Sequence, residues 1–279
     1  MTIMNRLLTE VDPTVALTRG SLYRLLAKSF LYPTPDIIEI LGGAGYGEIL
    51  RDYTTLNKGS SKLQRSVDEM TNFLMSPDNW RRDSLEPEYN RLFAHIGSAE
   101  CPPYETEYGY DNIFQKTEAL ADIAGFYRAY ELDVADGNKE RVDFLSTELE
   151  FMSFLALHEA YAREQSEQEH LEVTLDSQRK YLQDHLGRWM SMFAKVLAQS
   201  TREEFYRHLG GLTDAFVESE VQYLGVTPEK VTVPGKGLHE SPSPFGCDAC
   251  MMNETERTKS TETDNVDDRG NTGAAGTVG

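Results

Sequence analysis

Three kinds of residue in this chain have the types and spacing to do chemistry: a cysteine pair, a few carboxylate–histidine neighbours, and a loop dense in tyrosine and glutamate. Cys247-x-x-Cys250 lies in the island Pro242–Met252, PSPFGCDACMM, and two thiolates at this spacing can share a metal or close a redox disulfide. A structural zinc needs four ligands and only His239 lies nearby, while a thioredoxin-like pair needs a helix N-terminus in a βαβ setting. Cys247 and Cys250 are therefore candidate metal ligands without an assigned site; no isolated chemistry, a metal or cofactor contact shared with a partner protein, and a redox switch all stay open. Glu167-x-x-His170 is the single E-x-x-H, whereas a paired-metal helical bundle needs two plus two further glutamates. His158-Glu159 is followed by Ala162 where a zinc helix would carry its second histidine, and no G-x-S-x-G occurs. Metalloenzyme and serine-hydrolase readings fail on these counts, and no resident cofactor is expected. Cys101 reads as a small apolar loop residue.

The loop is the most informative segment. In EPEYNRLFAHIGSAECPPYETEYGY, from Glu86 to Tyr110, the residues Tyr89, Leu92, Phe93 and Ile96 recur at the spacing of one helix face. Pro87 is expected in the opening turn and Gly97 at the close. Pro102 and Pro103 then fix two φ angles and hold Cys101 extended, so that Tyr104, Tyr108 and Tyr110 stand beside Glu105 and Glu107. A stiff, aromatic, anionic loop delivered by a helix suggests a recognition surface. Asp143 and Glu148 lie five apart, about 140° around a helix, and each is expected to be a solvated helix carboxylate.

The elements that must carry these residues read as helices throughout. Leu22, Leu25, Leu26 and Phe30 mark the first, stopped by Pro33 and Pro35, and Thr34 caps a short second one with Ile37, Ile38 and Leu41. Gly42–Gly47, GGAGYG, lacks the pattern of a phosphate cradle and reads as a loop. Leu63, Val67, Met70 and Leu74 give the next helix; Leu120, Ile123, Ala124 and Tyr127 another, ending before the Asp136-Gly137 turn. A long helix from Val142 to about Tyr161 yields to a charged linker, Arg163–Glu169; Leu182, Leu186, Trp189 and Phe193 follow as one helix, and the last runs from Thr201 to Gly225. No strand alternation or repeat appears, so the fold class is an all-α, single-domain helical bundle over residues 1–225, with a flexible low-complexity tail over 226–279 that holds the cysteine island.

Composition narrows the partners. A formal charge of -19 and a pI near 4.7 argue against nucleic acid, whose binding needs a basic face, and favour a cationic partner or simple solubility. Mean hydropathy is -0.49, no apolar run reaches the ~18 residues of a membrane span, and MTIMNRLLTEVDP lacks a secretion signal, so a cytoplasmic chain with no membrane span is expected. Three cysteines are too few for a disulfide framework.

EYNRLF followed by CPPYETEYG resembles the signature of the TorD/DmsD/NarJ group of molybdoenzyme assembly chaperones, and is most similar to the branch serving type II dimethyl-sulfoxide-reductase-like enzymes. Asp143–Met152, DFLSTELEFM, is similar to the D-H-x-x-x-E-L-x-F-M helix of that group, departing from it at Phe144, where many members carry His. His185–Phe193, HLGRWMSMF, is similar to its H-L-x-x-W-x-x-x-F helix, and the likeness spans roughly Leu22 to Leu224. The resemblance implies no enzyme but a cytoplasmic chaperone that binds the twin-arginine signal segment, or the apo form, of a molybdopterin-containing catalytic subunit until its cofactor is inserted. It leaves open a transient contact with molybdopterin guanine dinucleotide or GTP. It also moves Asp143 toward a binding role: Glu88, Glu105, Glu107 and Asp143 would meet arginines, and Tyr89, Leu92, Phe93, Pro102, Pro103, Tyr104 and Tyr108 would line the apolar part of the groove. The rival readings are an all-α small-molecule or cofactor binder, or an enzyme, with the tyrosine-rich loop as a closed pocket, and a fixed subunit of a larger complex.

Overall fold

Local capping rules set most of the helix starts. In the computed structural model, which describes residues 3–9, 11–56, 60–76, 81–94, 99–132 and 140–232, eleven α-helices follow one another and no strand occurs among the described residues. Asp12 caps α2 (Pro13–Ser29) through the Thr14 N–H, Thr34 caps α3 (Pro35–Gly42) through Ile37, and Ser60 caps α5 (Ser61–Leu74) through Leu63. Proline occupies the first turn of both α2 and α3, where its missing N–H removes nothing. The expected caps at Thr34 and at the Gly225 stop are in place; Gly225 takes a positive φ of 65° after α11 (Glu204–Leu224).

The core is organised around α8 (Leu145–Gln165), which is buried on nearly every side and packs most extensively on α2. Helices α9 (Gln168–Asp184), α10 (Leu186–Ser200) and α11 complete the bundle. Around it, α4 (Ala44–Leu56) lies on α2, α5 on α11, and the short α1 (Ile3–Thr9) on α9 and α11. Between α2, α8, α9 and α11 sits a buried ionic network. Arg19 donates to Glu159 at 2.6 Å and bidentately to Glu220 at 2.7 to 3.0 Å, while Arg163 takes the other Glu159 oxygen at 2.6 Å. Gln178 and Tyr53 supply the remaining contacts. Two guanidinium groups answer two carboxylates, so the charge closes inside the core.

Several sequence expectations change here. Helix α6 (Arg82–Phe93) starts a turn earlier than Glu86, so Pro87 is interior to it, and it ends at Phe93; Ile96, Gly97 and the Asp136-Gly137 turn lie outside the described residues. The GGAGYG segment is not a loop: Gly42 ends α3 and Ala44–Gly47 opens α4, because Tyr46 buries its ring in the core. The charged stretch Arg163–Glu169 is not a linker either, since α8 runs to Gln165, turns on Ser166 at φ 58°, and continues as α9. The helix expected across Leu182–Phe193 is broken at His185, whose φ of -125° and ψ of -103° end α9 and begin α10. Gly187 is required at that break, because a Cβ there would be driven into the Leu182 carbonyl oxygen and against Pro228. Residues beyond Gly225 also pack: Thr227 bonds to Gln183, and the Val231 N–H donates to the Arg188 carbonyl at 3.0 Å. Cys247, Cys250 and their island lie outside the described residues.

Candidate functional site

Two prolines leave the loop after α6 with few conformations and several unanswered backbone groups, and the segment ahead of α8 answers them. The Pro103 carbonyl accepts from the Leu145 N–H at 2.9 Å, and the Glu105 N–H donates to the Asp143 carbonyl at 3.0 Å. Tyr104 and Phe144 form the isolated antiparallel bridge between the two stretches. Asp143 then clamps the 3-10 turn Glu105–Glu107. Its Oδ2 accepts from the Thr106 N–H at 3.1 Å and the Thr106 hydroxyl at 2.8 Å, and Arg141 holds both of its oxygens at 2.8 to 2.9 Å. Tyr108 stacks on Trp189 with 5.3 Å between centroids and donates its hydroxyl to the Pro102 carbonyl. The loop is thereby a fixed part of the bundle.

Behind it lies a cluster of carboxyl groups. Glu105 is buried; its Oε1 accepts from the Tyr110 hydroxyl at 2.5 Å and lies 3.2 Å from His185 Nδ1. His185 Nε2 in turn lies 3.2 Å from Asp122 Oδ2 on α7 (Ile113–Ala129). Glu148, in the first turn of α8, accepts from the Trp189 indole N–H at 3.3 Å, and its other oxygen, like Glu105 Oε2, is buried without a hydrogen-bond partner among the described residues. Burial first, and then the fields of Glu105 and Asp143, push the Glu148 carboxyl well above the usual carboxylate range. A Glu148 that keeps its proton can donate it to Glu105, which resolves both unpartnered oxygens. For His185 burial opposes the charge, but the hydrogen bonds and fields of Glu105 and Asp122 outweigh it and raise the imidazole pKa.

The cluster opens on one side into a groove of about 820 Å³ between α7 and the α9–α10 junction, whose walls include Tyr110, Glu118, Asp122, Asp184, His185 and Arg188. Among the described residues no group of three or more His, Cys, Asp or Glu side chains is arranged to hold a metal ion.

Placement of the expected site residues departs from an exposed anionic surface. Glu88 is buried and bonds to Arg91, the Thr201 hydroxyl and the Arg202 N–H. Glu105 and Asp143 are buried on internal donors as described, and the expectation that Asp143 and Glu148 are solvated helix carboxylates is corrected: both are fully buried. The angular argument fails because Asp143 precedes the helix that begins at Leu145. Leu92, Phe93 and Tyr108 belong to the core, Pro103 is buried, and Tyr104 is covered by the Arg141 guanidinium 4.5 Å above its ring. Tyr89, Pro102 and Glu107 keep partial exposure, with Glu107 paired to Lys116 at 3.0 Å and to Arg141 at 3.6 Å. Cys101 is buried, as a small apolar residue would be, and burial pushes its thiol up. Residue patterning placed Tyr110 beside Glu105, where it is found, but did not point to His185, Asp122 or Arg141 as neighbours. The only sequence signals were the two signature stretches that carry Glu148 and His185.

Comparison with known proteins covers the same segments. The family model described as nitrate reductase delta subunit matches residues 57–195. The chain is 30% identical over 154 residues to the chlorate reductase assembly chaperone protein of Ideonella dechloratans, covering 53% of this chain and 75% of that protein. It is 22% identical over 195 residues to the chaperone protein TorD of Vibrio parahaemolyticus, covering 69% and 83%, and 28% identical over 148 residues to the selenate reductase assembly chaperone protein of Thauera selenatis, covering 51% and 72%.

Proposed function

Because the chain belongs to the TorD/DmsD/NarJ family of molybdoenzyme assembly chaperones, we infer that it is a maturation chaperone for the catalytic subunit of a molybdenum-containing reductase or dehydrogenase. It would hold that subunit in its apo form in the cytoplasm, through a signal segment or through the mature part, until the pterin cofactor is inserted. No bond is made or broken by the chaperone. One observation carries the reading: the three stretches that resemble the family signature, around Glu105, Glu148 and His185, meet at one cluster although they are far apart in sequence. An open groove beside that cluster suits an extended peptide better than a small molecule enclosed on all sides. Of the expected residues, Tyr89, Pro102 and Glu107 reach the surface outside the walls of that groove, while Glu105 and Asp143 shape the loop from within.

The test is to purify the tagged full chain from its native host and identify what accompanies it. Stoichiometric recovery of a molybdoenzyme catalytic subunit lacking its cofactor is expected. Recovery of that subunit only in cofactor-loaded form, or its normal maturation in a strain without this chain, would overturn the reading.

A further inference from the structure

Glu148 stands in the first turn of α8, a helix buried on nearly every side, and faces Glu105 in the 3-10 turn of the loop. One oxygen of each, Glu148 Oε1 and Glu105 Oε2, is buried with no hydrogen-bond partner among the described residues, although the two carboxyl groups act on one another. Two ionised carboxylates only repel; a carboxyl and a carboxylate bond through one shared proton. With that proton on Glu148 the buried charges balance, because Arg141 answers Asp143 and the His185 imidazolium answers Glu105. Without it a second buried carboxylate faces Glu105 and Asp143. Glu105 is also the anchor of the groove wall. Its Oε1 takes the Tyr110 hydroxyl at 2.5 Å and lies 3.2 Å from His185 Nδ1, and both of these residues line the groove. Glu148, fully buried, reaches the groove only through Glu105.

We propose that Glu148, in its protonated form, is a positioning residue of the groove: its proton bridges to Glu105 and holds the Tyr110–His185 wall in place, and its loss to solvent lets the loop withdraw from α8. The use of the groove rests on the chaperone reading; the latch does not. One proton passes from Glu148 to water, and no bond between heavy atoms changes. Charged groups meet Glu148 from every element around it. Glu105 comes from the loop, Asp143 and Arg141 from the segment ahead of α8, Asp122 from α7 through His185, and Arg188 from α10 through Tyr110. Tyr110, Tyr127 and Tyr181 also feel its field, but burial pushes all three hydroxyls up, so they stay neutral near pH 7. His185, whose pKa is raised, titrates above about pH 6.5. Between about pH 5 and 6 the imidazole holds its proton whether the loop is closed or open, and the response isolates Glu148.

The experiment is amide hydrogen exchange of the full chain without client, read by mass spectrometry on peptides covering Tyr104–Tyr110 and corrected for the intrinsic pH dependence of exchange. In the unaltered chain protection of this loop should fall by about tenfold from pH 5 to pH 6, for one proton released on opening. Glu148→Gln, whose amide donates to Glu105 and accepts from Trp189, should keep its protection over the same range. Glu148→Ala leaves Glu105 Oε2 and the Trp189 indole without a partner, and its loop should open at least about tenfold more often at both pH values. If Glu148→Ala does not fold, the unaltered chain and the Gln variant still decide. Protection that does not change with pH in the unaltered chain, or that changes equally in Glu148→Gln, would overturn the proposal. So would loop amides that exchange no faster than those of α8, because global unfolding alone would then release the proton. Such a failure beside successful recovery of the client would leave the chaperone reading standing, whereas loss of the client with the latch intact would reject that reading alone.

Discussion

Two buried ionic clusters in this protein are built from the same residue types and behave differently. Around Arg19, guanidinium groups and carboxylates balance, and each oxygen of Glu159 and Glu220 has a donor. Around Glu105, carboxyl groups outnumber the cations, two oxygens have no donor among the described residues, and protons make up the difference. The first cluster ties α2, α8, α9 and α11 into a bundle. The second lies against a groove, and its surroundings raise the pKa of both Glu148 and His185. A closed set of ion pairs fixes geometry, while a set with more carboxyl groups than cations depends on bound protons.

The largest effect should come from breaking the closed cluster. Arg19→Met leaves Glu159 and Glu220 without their shared partner in the core, which costs about 3–5 kcal/mol, and at roughly 2–4 °C per kcal/mol for a domain of this size the melting temperature should fall by about 6–20 °C. A melt that moves by only a degree or two would mean that water enters and compensates. Asp143→Ala should come next. It removes the clamp on the Thr106 N–H and the partner of Arg141, and hydrogen bonds to a charged group contribute roughly 1.5–3 kcal/mol. The loop bond between Tyr104 and Glu105 should then be cut far faster by limited proteolysis, and unchanged cleavage would remove Asp143 from its clamping role.

The open cluster is sharpened by pH. Glu148 and His185 both bind their protons more tightly in the folded state than in the unfolded chain. Stability is therefore fully present below the unfolded pKa of each group and falls as pH rises through the folded one. For Glu148 the loss begins above about pH 4.5, and for His185 above about pH 6.5, with a slope of about 1.4 kcal/mol per pH unit for each group inside its window. Glu148→Gln can still accept from Trp189 and donate to Glu105, so it should match the unaltered chain near pH 4 and become the more stable of the two by pH 8. Parallel stability curves would show that Glu148 carries no proton. The smallest effect should be that of Phe114→Ser. At a position 82% exposed, stability should change by less than about 0.5 kcal/mol, and a larger loss in denaturant unfolding would show that the ring packs on a neighbour.

The helical class, the Thr34 cap and the Gly225 stop were legible because they depend on neighbours in sequence. Helix α9 was not: Leu171, Leu175 and Leu182 are spaced too sparsely among Glu, Gln and Lys to separate a half-buried helix from a charged linker. The break at His185 was hidden by the unbroken apolar rhythm from Leu182 to Phe193. The prolines correctly marked a stiff loop, but nothing local shows that Glu105 points inward, because that is decided by Asp143 and Thr106 meeting across it. Buried carboxylates look like solvated ones in a sequence. The likeness of His185–Phe193 and Asp143–Met152 to known signature helices marked residues of this cluster without indicating that they meet.

His185 is the residue that caps the end of α9 and the start of α10, and so sits between two helix macrodipoles of opposite sense. The carboxyl end of α9 favours an imidazolium, and the amino end of α10 disfavours it. Their effects oppose each other, and the backbone does not by itself decide the charge of the ring. The decision passes to side chains, and one of these, Asp122, is open to solvent. A histidine at the end of a single helix would carry a fixed backbone bias; at this corner the two biases offset, and Glu105 and Asp122 set the charge of the ring.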